Sequence, residues 1–163
     1  MPAQPAYRAD VAPFSGEIAG LLYDGLQPPR RATLRLDAGV VTDISNINDI
    51  TDTGDVEDRD LTTTSEPLIV PGFVDLHNHG GAGGGFPNGT VEECIEAALY
   101  HRQRGTTTLW ASLVSAPGAE LIAQTALLAG LAEQRLIAGI HMEGPFISAC
   151  RCGAQNPAHI IDG

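Results

Sequence analysis

The sequence of 163 residues contains no lysine. Its nine basic residues are all arginines, and they stand against 20 acidic residues, which gives a formal net charge of −11. Proteins that bind nucleic acids rely on clustered basic side chains to neutralise phosphates. The sequence therefore predicts no nucleic-acid partner. The length suits one ordinary domain, and a hydrophobic content of 43% is enough for a packed core.

Long apolar runs are also absent, so the sequence predicts no membrane-spanning segment. The first residues, Met1–Arg8, lack the charged-then-apolar order of a secretion signal. Three cysteines without framework spacing indicate a reducing compartment, so we expect a cytoplasmic protein. We expect Cys94 to be a core residue on a helix. Cys150 and Cys152 are expected to be loop thiols, because structural zinc sites use wider cysteine spacing.

An apolar run that begins at Leu68 has about the length of a strand and predicts one strand. It leads to two histidines, His77 and His79, and then to the glycine-rich stretch Gly80–Gly85. Side chains alternate along a strand, so the two histidines point to the same side. Their imidazoles can then bind one cation, with Zn–N bonds of about 2.0–2.1 Å. The pattern predicts a metal site. The alternative is a pair of ordinary polar residues where a strand leaves the core.

A second apolar run, Leu136–Glu143, also ends in polar residues and is followed by Gly144 and Pro145. In a strand, His141 and Glu143 share one face. Acidic residues are rarely buried without a partner, and a metal ion is one partner that suits them. Glu143 is therefore a candidate metal ligand, and a solvated loop acid is the alternative.

Short strands are predicted in the first third of the chain, after a loose tail at residues 1–14. Thr33–Leu36 and Val40–Ile44 indicate a hairpin. Residues 15–66 are expected to form part of a β-sandwich that ends in an acidic linker within Asn48–Pro67. A calcium loop is the alternative for this acidic stretch, but the spacing does not match an EF-hand.

Helices and strands alternate after the histidine pair. Thr90 and Glu93 form a capping box, and Val91, Ile95, Ala98 and Leu99 give the helix an apolar face. A strand is predicted over Thr106–Val114. A second helix opens at Ser115–Pro117 and carries Leu121, Leu128, Leu131 and Arg135 along one side. The third strand is the run that ends at Glu143.

This order predicts an α/β fold with parallel strands. Candidate residues at the carboxyl ends of parallel strands fit a (β/α)-barrel or an open doubly wound sheet. A phosphate cradle of the Rossmann type is the alternative for Gly80–Gly85, but the strict spacing of that fingerprint is missing. We expect the glycines to let the backbone turn tightly beside the metal.

Two motifs resemble a known family. Pro71–Gly80 (PGFVDLHNHG) resembles the first-strand signature of the amidohydrolase superfamily. His141–Phe146 (HMEGPF), followed by Gly153–His159 (GAQNPAH), is similar to the N-acetylglucosamine-6-phosphate deacetylase family in the form of its actinobacterial branch. The likeness extends from about Gly16 to the end of the chain.

The resemblance implies a metal-dependent (β/α)8 barrel and a small β-sandwich built from both chain termini. His77, His79 and Glu143 would bind one or two divalent ions, with Glu143 bridging if two are bound. Zinc is the expected metal, and iron, cobalt and manganese also accept these ligands. Ala154 and Gln155 match positions that contact the amino-sugar phosphate substrate. The implied reaction releases acetate and glucosamine 6-phosphate.

The resemblance also implies that much of the enzyme lies elsewhere. Residues 67–163 would supply only the first three βα units of an incomplete barrel. The family's catalytic Asp, its further metal-binding histidines and its phosphate-binding residues would lie beyond Gly163. We therefore expect an inactive N-terminal fragment of an enzyme that is a homodimer at full length. The alternatives are another amidohydrolase and a non-catalytic metal-binding protein, and the DNA downstream of the Gly163 codon would separate fragment from whole protein.

Overall fold

The computed structural model describes residues 13–47 and 66–161. It divides into two compact units, Met1–Pro71 and Gly72–Gly163. The predicted tail and acidic linker lie almost wholly outside the described residues, and the domain limits predicted at residues 14 and 66 stay predictions. No helix among the described residues is both long and apolar enough to cross a membrane.

The described elements, in chain order, are β1 Gly16–Leu22, β2 Arg30–Asp37, β3 Val40–Asn46, β4 Leu68–Ile69, β5 Phe73–Asn78, β6 Gly80–Gly81, β7 Gly84–Gly85, α1 Val91–Arg102, β8 Thr106–Leu113, α2 Gly118–Glu133 and β9 Gly139–Met142. Two short 3-10 helices follow, at Ala149–Arg151 and Pro157–His159.

The first unit contains one four-stranded sheet among its described residues, in the order β3-β2-β1-β4. β1 and β3 are both antiparallel to β2. The predicted hairpin is confirmed, and its two-residue loop, Ala38-Gly39, has φ angles of 47° and 79°. Positive φ at both loop positions is the turn that matches the twist of the flanking strands. The sandwich itself stays a prediction.

The apolar run that begins at Leu68 is divided between two sheets, so the prediction of a single strand was wrong. β4 pairs in parallel with β1, whereas β5 begins only at Phe73 and pairs with β8. Pro71 and Gly72 lie between the two strands. Proline lacks the amide hydrogen that a sheet ladder needs, so it interrupts a strand.

The second unit has a three-stranded parallel sheet in the order β5-β8-β9. Helix α1 connects β5 to β8, and α2 connects β8 to β9. The predicted alternation of helices and parallel strands is therefore confirmed. Closure into a (β/α)8 barrel stays a proposal.

Helix α1 begins as predicted. Glu93 donates its amide hydrogen to the Thr90 hydroxyl at 3.3 Å, and the Thr90 amide donates to the Glu93 carboxylate at 2.8 Å. Ile95 and Ala98 are buried, and Val91 and Leu99 pack against them, so the predicted apolar face is confirmed.

The second helix and the third strand are shorter than predicted. α2 ends at Glu133, and Arg135 lies outside it with a φ of 58°. This left-handed residue turns the chain back toward the sheet, where the Ala138 amide donates to the Leu109 carbonyl at 2.7 Å. Leu136 and Ile137 are buried but precede β9, which starts at Gly139.

A continuous core lies between the parallel sheet and the two helices. Its most buried members are Phe86, Cys94, Ile95, Ala97, Ala98, Leu109, Ala111, Leu113, Leu128, Leu131, Leu136 and Ile137. Cys94 is fully buried, as predicted, while Cys150 is exposed and Cys152 is half-buried.

Burial raises the pKa of the Cys94 thiol from 9.0 to about 11, and the negative charge of Glu93 adds to this shift. Because the unfolded chain keeps the ordinary pKa, the stabilising contribution of the thiol is complete below pH 9 and is lost as the pH rises to about 11. We expect the difference in unfolding free energy between the wild type and Cys94→Ala to shift against the wild type across this window. Urea unfolding at pH 8, 9, 10 and 11 measures it, and a constant difference would contradict the prediction.

The glycine-rich stretch forms a hairpin rather than a helix start. β6 and β7 pair antiparallel around Ala82 and Gly83, whose φ angles are 54° and 90°. At Gly84 an added Cβ would lie 2.3 Å from the backbone oxygen of Glu93. The hairpin can therefore approach α1 closely only because this residue has no side chain.

Gly84→Ala should lower the free energy of unfolding by about 1–3 kcal/mol, because the helix backbone it would strike cannot move aside as a side chain can. Gly118→Ala is the matched control. It lies at the start of α2 with nothing within 4 Å of its added Cβ, so we expect no loss and a gain of at most about 1 kcal/mol. Urea unfolding followed by the fluorescence of Trp110, the single tryptophan, measures both. Equal effects of the two substitutions would contradict this steric reason.

Candidate metal centre

Three side chains meet at the edge of the parallel sheet where the carboxyl ends of β5 and β9 lie, on either side of β8. The Nε2 atoms of His77 and His79 are 3.0 Å apart, and each lies 3.0 Å from Oε2 of Glu143. The structure thus brings together the three predicted candidates from two strand ends. Both histidines are exposed and Glu143 is half-buried, so the group is accessible from solvent.

A hydrogen bond to the backbone shows which ring nitrogen of His79 carries the proton. Its Nδ1 lies 3.2 Å from the backbone oxygen of Ser112. A carbonyl oxygen only accepts, so Nδ1 carries the proton and, in the neutral ring, Nε2 presents a lone pair. That lone pair faces the Glu143 carboxylate at 3.0 Å. A proton or a cation between these atoms is needed to make the contact favourable.

The donor set fits a divalent cation. Two imidazole nitrogens and one carboxylate oxygen are ligands that zinc and the neighbouring transition metals accept. Two metal–ligand bonds of about 2.1 Å that meet near a right angle place their ligand atoms about 3.0 Å apart. The three pairs of candidate ligand atoms in His77, His79 and Glu143 have this separation. The hydrogen bond from His79 to a carbonyl is the usual outer contact of a metal-binding histidine.

Ser112 is a residue beside the candidate ligands that the sequence did not single out. It is fully buried in β8, between the two strands that carry the candidate ligands. Its hydroxyl accepts a hydrogen bond from the Asn78 amide at 3.0 Å and lies 2.9 Å from Nδ1 of His141. Through its carbonyl and hydroxyl, this one residue joins the ends of β5 and β9. A polar residue inside the apolar stretch of β8 was the only available signal.

Asn78 shapes the turn between the two histidines. Its Oδ1 accepts from the Gly80 amide at 2.8 Å, and its Nδ2 donates to the Asp75 carboxylate at 2.7 Å. The contact with Asp75 lies where the pairing of β5 with β8 shifts register, between Asp75 and Asn78. The two bonds of Asn78 hold the backbone on both sides of the histidine pair.

Glu143 is held as a carboxylate. Burial raises the pKa of Glu143, but the hydrogen bond from His77, the nearby Gln155 side chain and the positive charges that His77 and His79 carry when protonated outweigh this effect. The pKa therefore lies below its ordinary value. The group is ionised at neutral pH, which is the state that binds a metal.

The two candidate substrate-contacting residues follow the second strand end. Gln155 is half-buried, and its Oε1 accepts from the Ser115 amide at 2.6 Å. Ala154 is exposed. Their contact with a substrate stays a prediction.

No family model matches this sequence. The human N-acetylglucosamine-6-phosphate deacetylase is 31% identical over 99 residues, which cover 57% of this chain and 24% of the human protein. The crystal structure of N-acetyl-D-glucosamine-6-phosphate deacetylase from Mycobacterium smegmatis superposes with a TM-score of 0.73 and 33% identity. It covers 90% of this chain and 37% of that one.

By sequence and by fold, this chain is similar to N-acetylglucosamine-6-phosphate deacetylases. The deacetylases are hydrolytic enzymes, and the chain spans about a quarter of the length of the curated members it matches. An N-acetylgalactosamine-6-phosphate deacetylase from Shewanella is also 30% identical over 95 residues, covering 56% of this chain and 24% of that protein. The likeness to the deacetylases therefore extends to a protein named for a second amino sugar.

Proposed function

We propose that this chain supplies part of the metal centre of an enzyme that deacetylates N-acetylglucosamine 6-phosphate to glucosamine 6-phosphate and acetate. The observation that carries the proposal is the triangle of His77, His79 and Glu143, whose ligand atoms are each 3.0 Å apart. The similarity to the deacetylases supports the choice of reaction.

The roles of the three side chains follow from their chemistry. His77 and His79 would bind a divalent ion through Nε2, and Glu143 would add a negatively charged oxygen. Zinc is our first choice, with iron, cobalt or manganese as alternatives and one or two ions in the site. When bound, the ion supplies a water of lowered pKa and polarises the amide carbonyl.

Other steps need groups outside this triangle. A base must remove a proton from the attacking water, and an acid must protonate the leaving amine. We propose that an aspartate of a longer chain does this work, and that this longer chain closes a barrel and forms a homodimer in the cytoplasm. We also propose Ala154 and Gln155 as residues near the amino sugar.

A second candidate substrate is N-acetylgalactosamine 6-phosphate, because a relative named for that activity is 30% identical. The test is acetate release from both sugar phosphates by the protein translated from the complete reading frame that contains this chain, with zinc or cobalt added. Release from either one above a metal-free control supports deacetylation, and their ratio identifies the preferred sugar. Absence of release from both would overturn the proposal.

A further inference from the structure

The hydroxyl of Ser112 contacts both strands that carry the candidate ligands. It accepts a hydrogen bond from the amide of Asn78 at 3.0 Å, and Asn78 is the residue between His77 and His79. On its other side the hydroxyl oxygen lies 2.9 Å from Nδ1 of His141, which is paired with Ser112 in the register of β8 and β9. Because the side chain is fully buried, these two contacts replace the water that would otherwise satisfy it.

The single proton of this hydroxyl determines the state of the His141 ring. The Asn78 amide only donates, so it occupies a lone pair of the oxygen and leaves the hydroxyl proton to be donated. Among the described residues, Nδ1 of His141 is the one acceptor within hydrogen-bond distance of that oxygen. Nδ1 therefore accepts, and the proton of the neutral imidazole lies on Nε2. The opposite tautomer would leave a buried hydroxyl proton without a partner, which is unfavourable.

His141 is thereby distinguished from the histidines of the triangle. In His79 the backbone carbonyl of Ser112 holds the proton on Nδ1 and leaves Nε2 free to bind a cation. In His141 the hydroxyl occupies Nδ1 and a proton occupies Nε2, so neither nitrogen is available to a metal in this state. The His141 ring nevertheless lies against the His77 ring, with centroids 4.7 Å apart and planes at 66°. Ser112 therefore gives two neighbouring imidazoles opposite tautomers.

We propose that Ser112 is a positioning residue for the candidate metal centre. Its hydroxyl fixes the peptide between His77 and His79, and it holds His141 beside His77 as a hydrogen-bond donor rather than as a further ligand. This inference rests on the proposed function of the triangle as a metal centre. It is measurable, because a buried serine that only fills space would leave metal affinity independent of its hydroxyl.

Ser112→Ala removes the hydroxyl and keeps the backbone carbonyl that contacts His79. Loss of an outer contact at a metal site typically weakens metal affinity about 10- to 100-fold. We expect that weakening for Co²⁺, measured by equilibrium dialysis of the chain without substrate. Ser112→Thr is the rescue variant, because it keeps a hydroxyl on the same carbon, and its affinity should return to within about threefold of the wild type. The circular dichroism spectrum of each variant reports whether it is folded.

Ser115→Ala is the matched control. Ser115 follows β8 and is also buried, at 3% exposure, but its hydroxyl has no hydrogen-bond partner among the described residues. The substitution keeps the Ser115 amide that donates to Gln155. We expect its affinity for Co²⁺ to stay within about threefold of the wild type, well inside the loss expected for Ser112→Ala.

The tautomer of His141 gives a second measurement that needs no metal. Nitrogen NMR of the metal-free chain with ¹⁵N-labelled histidine distinguishes protonated from unprotonated ring nitrogens, at pH 8, where an ordinary histidine is neutral. In the wild type we expect the proton of His141 on Nε2, and in Ser112→Ala a mixture of the two tautomers. The His141→Gln variant assigns the signals, because it removes those of this ring alone.

The outcomes separate this inference from the proposed function. Wild-type affinity in folded Ser112→Ala, equal weakening in Ser115→Ala, or a wild-type His141 with its proton on Nδ1 would overturn the positioning role and leave the metal centre intact. A wild-type chain that binds no Co²⁺ would overturn both. Weakened binding in Ser112→Ala, with rescue by threonine and no change in the control, supports the positioning role. If Ser112→Ala does not fold, the wild-type tautomer of His141 decides.

Discussion

Replacing Phe86 by alanine should lower the free energy of unfolding of the second unit by about 3–5 kcal/mol. Phe86 is fully buried and is the largest such side chain in the described chain. It lies in the core between the sheet and both helices. Removing the ring takes away apolar contacts and leaves a cavity that the surrounding helices can fill only in part. Urea unfolding followed by Trp110 fluorescence reports on this unit, because Trp110 lies in β8.

Loss of packing at Phe86 should also disturb the backbone at His79, a residue of the candidate metal centre. The Phe86 amide donates to the His79 carbonyl at 2.9 Å, and the Gln124 side chain donates to the Phe86 carbonyl at 2.8 Å.

Phe146→Ala is the control, because that ring is 71% exposed and its loss should change stability by at most about 0.5 kcal/mol. A loss below about 1 kcal/mol for Phe86→Ala would show that the site collapses around the smaller side chain.

Glu143→Gln should weaken the affinity of the chain for Co²⁺ or Zn²⁺ by at least about 100-fold. Loss of an outer contact alone costs about 10- to 100-fold, and this change removes the negative charge of a direct ligand. The variant keeps the size of the side chain, so the fold should be preserved. His79→Ala should have a similar effect, because it removes one of only two imidazoles in the triangle. Competition with a chromophoric chelator measures the dissociation constants.

Glu120→Gln is the matched control for the charge change. Glu120 is exposed in the first turn of α2, so its replacement should leave metal affinity unchanged. Equal affinities of the wild type, Glu143→Gln and His79→Ala would mean that any bound metal lies elsewhere. The assignment of the triangle would then be wrong.

The close approach of His77, His79 and Glu143 was predictable from sequence, because it depends only on where parallel strands end. His77 and His79 follow one apolar run and Glu143 follows another, and the carboxyl ends of parallel strands meet at one edge of a sheet. The hydrophobic periodicity of α1 and its capping box also describe local structure, which neighbouring residues determine. These features needed no knowledge of distant contacts.

The features that sequence reasoning missed depend on partners far away in the chain. Ser112 acts through a backbone carbonyl and a hydroxyl, and neither gives a recognisable motif. The apolar run that begins at Leu68 is equally hydrophobic in β4 and β5, so its pattern does not say that each strand joins a different sheet. For Gln155, sequence likeness suggested a substrate contact, whereas its hydrogen bond with the Ser115 amide could be seen only in three dimensions.

The position of β5 has a consequence for handling this chain in solution. Within the described sheet β5 is paired on one side only, by β8, and Phe73, Val74 and Leu76 are each more than 60% exposed. A strand with a free row of amides and carbonyls is a template for pairing with another copy. The net charge of −11 opposes such pairing by repulsion at neutral pH. Concentrated salt, or acid near the isoelectric point of about 4.6, removes that repulsion, so turbidity should develop first under those conditions.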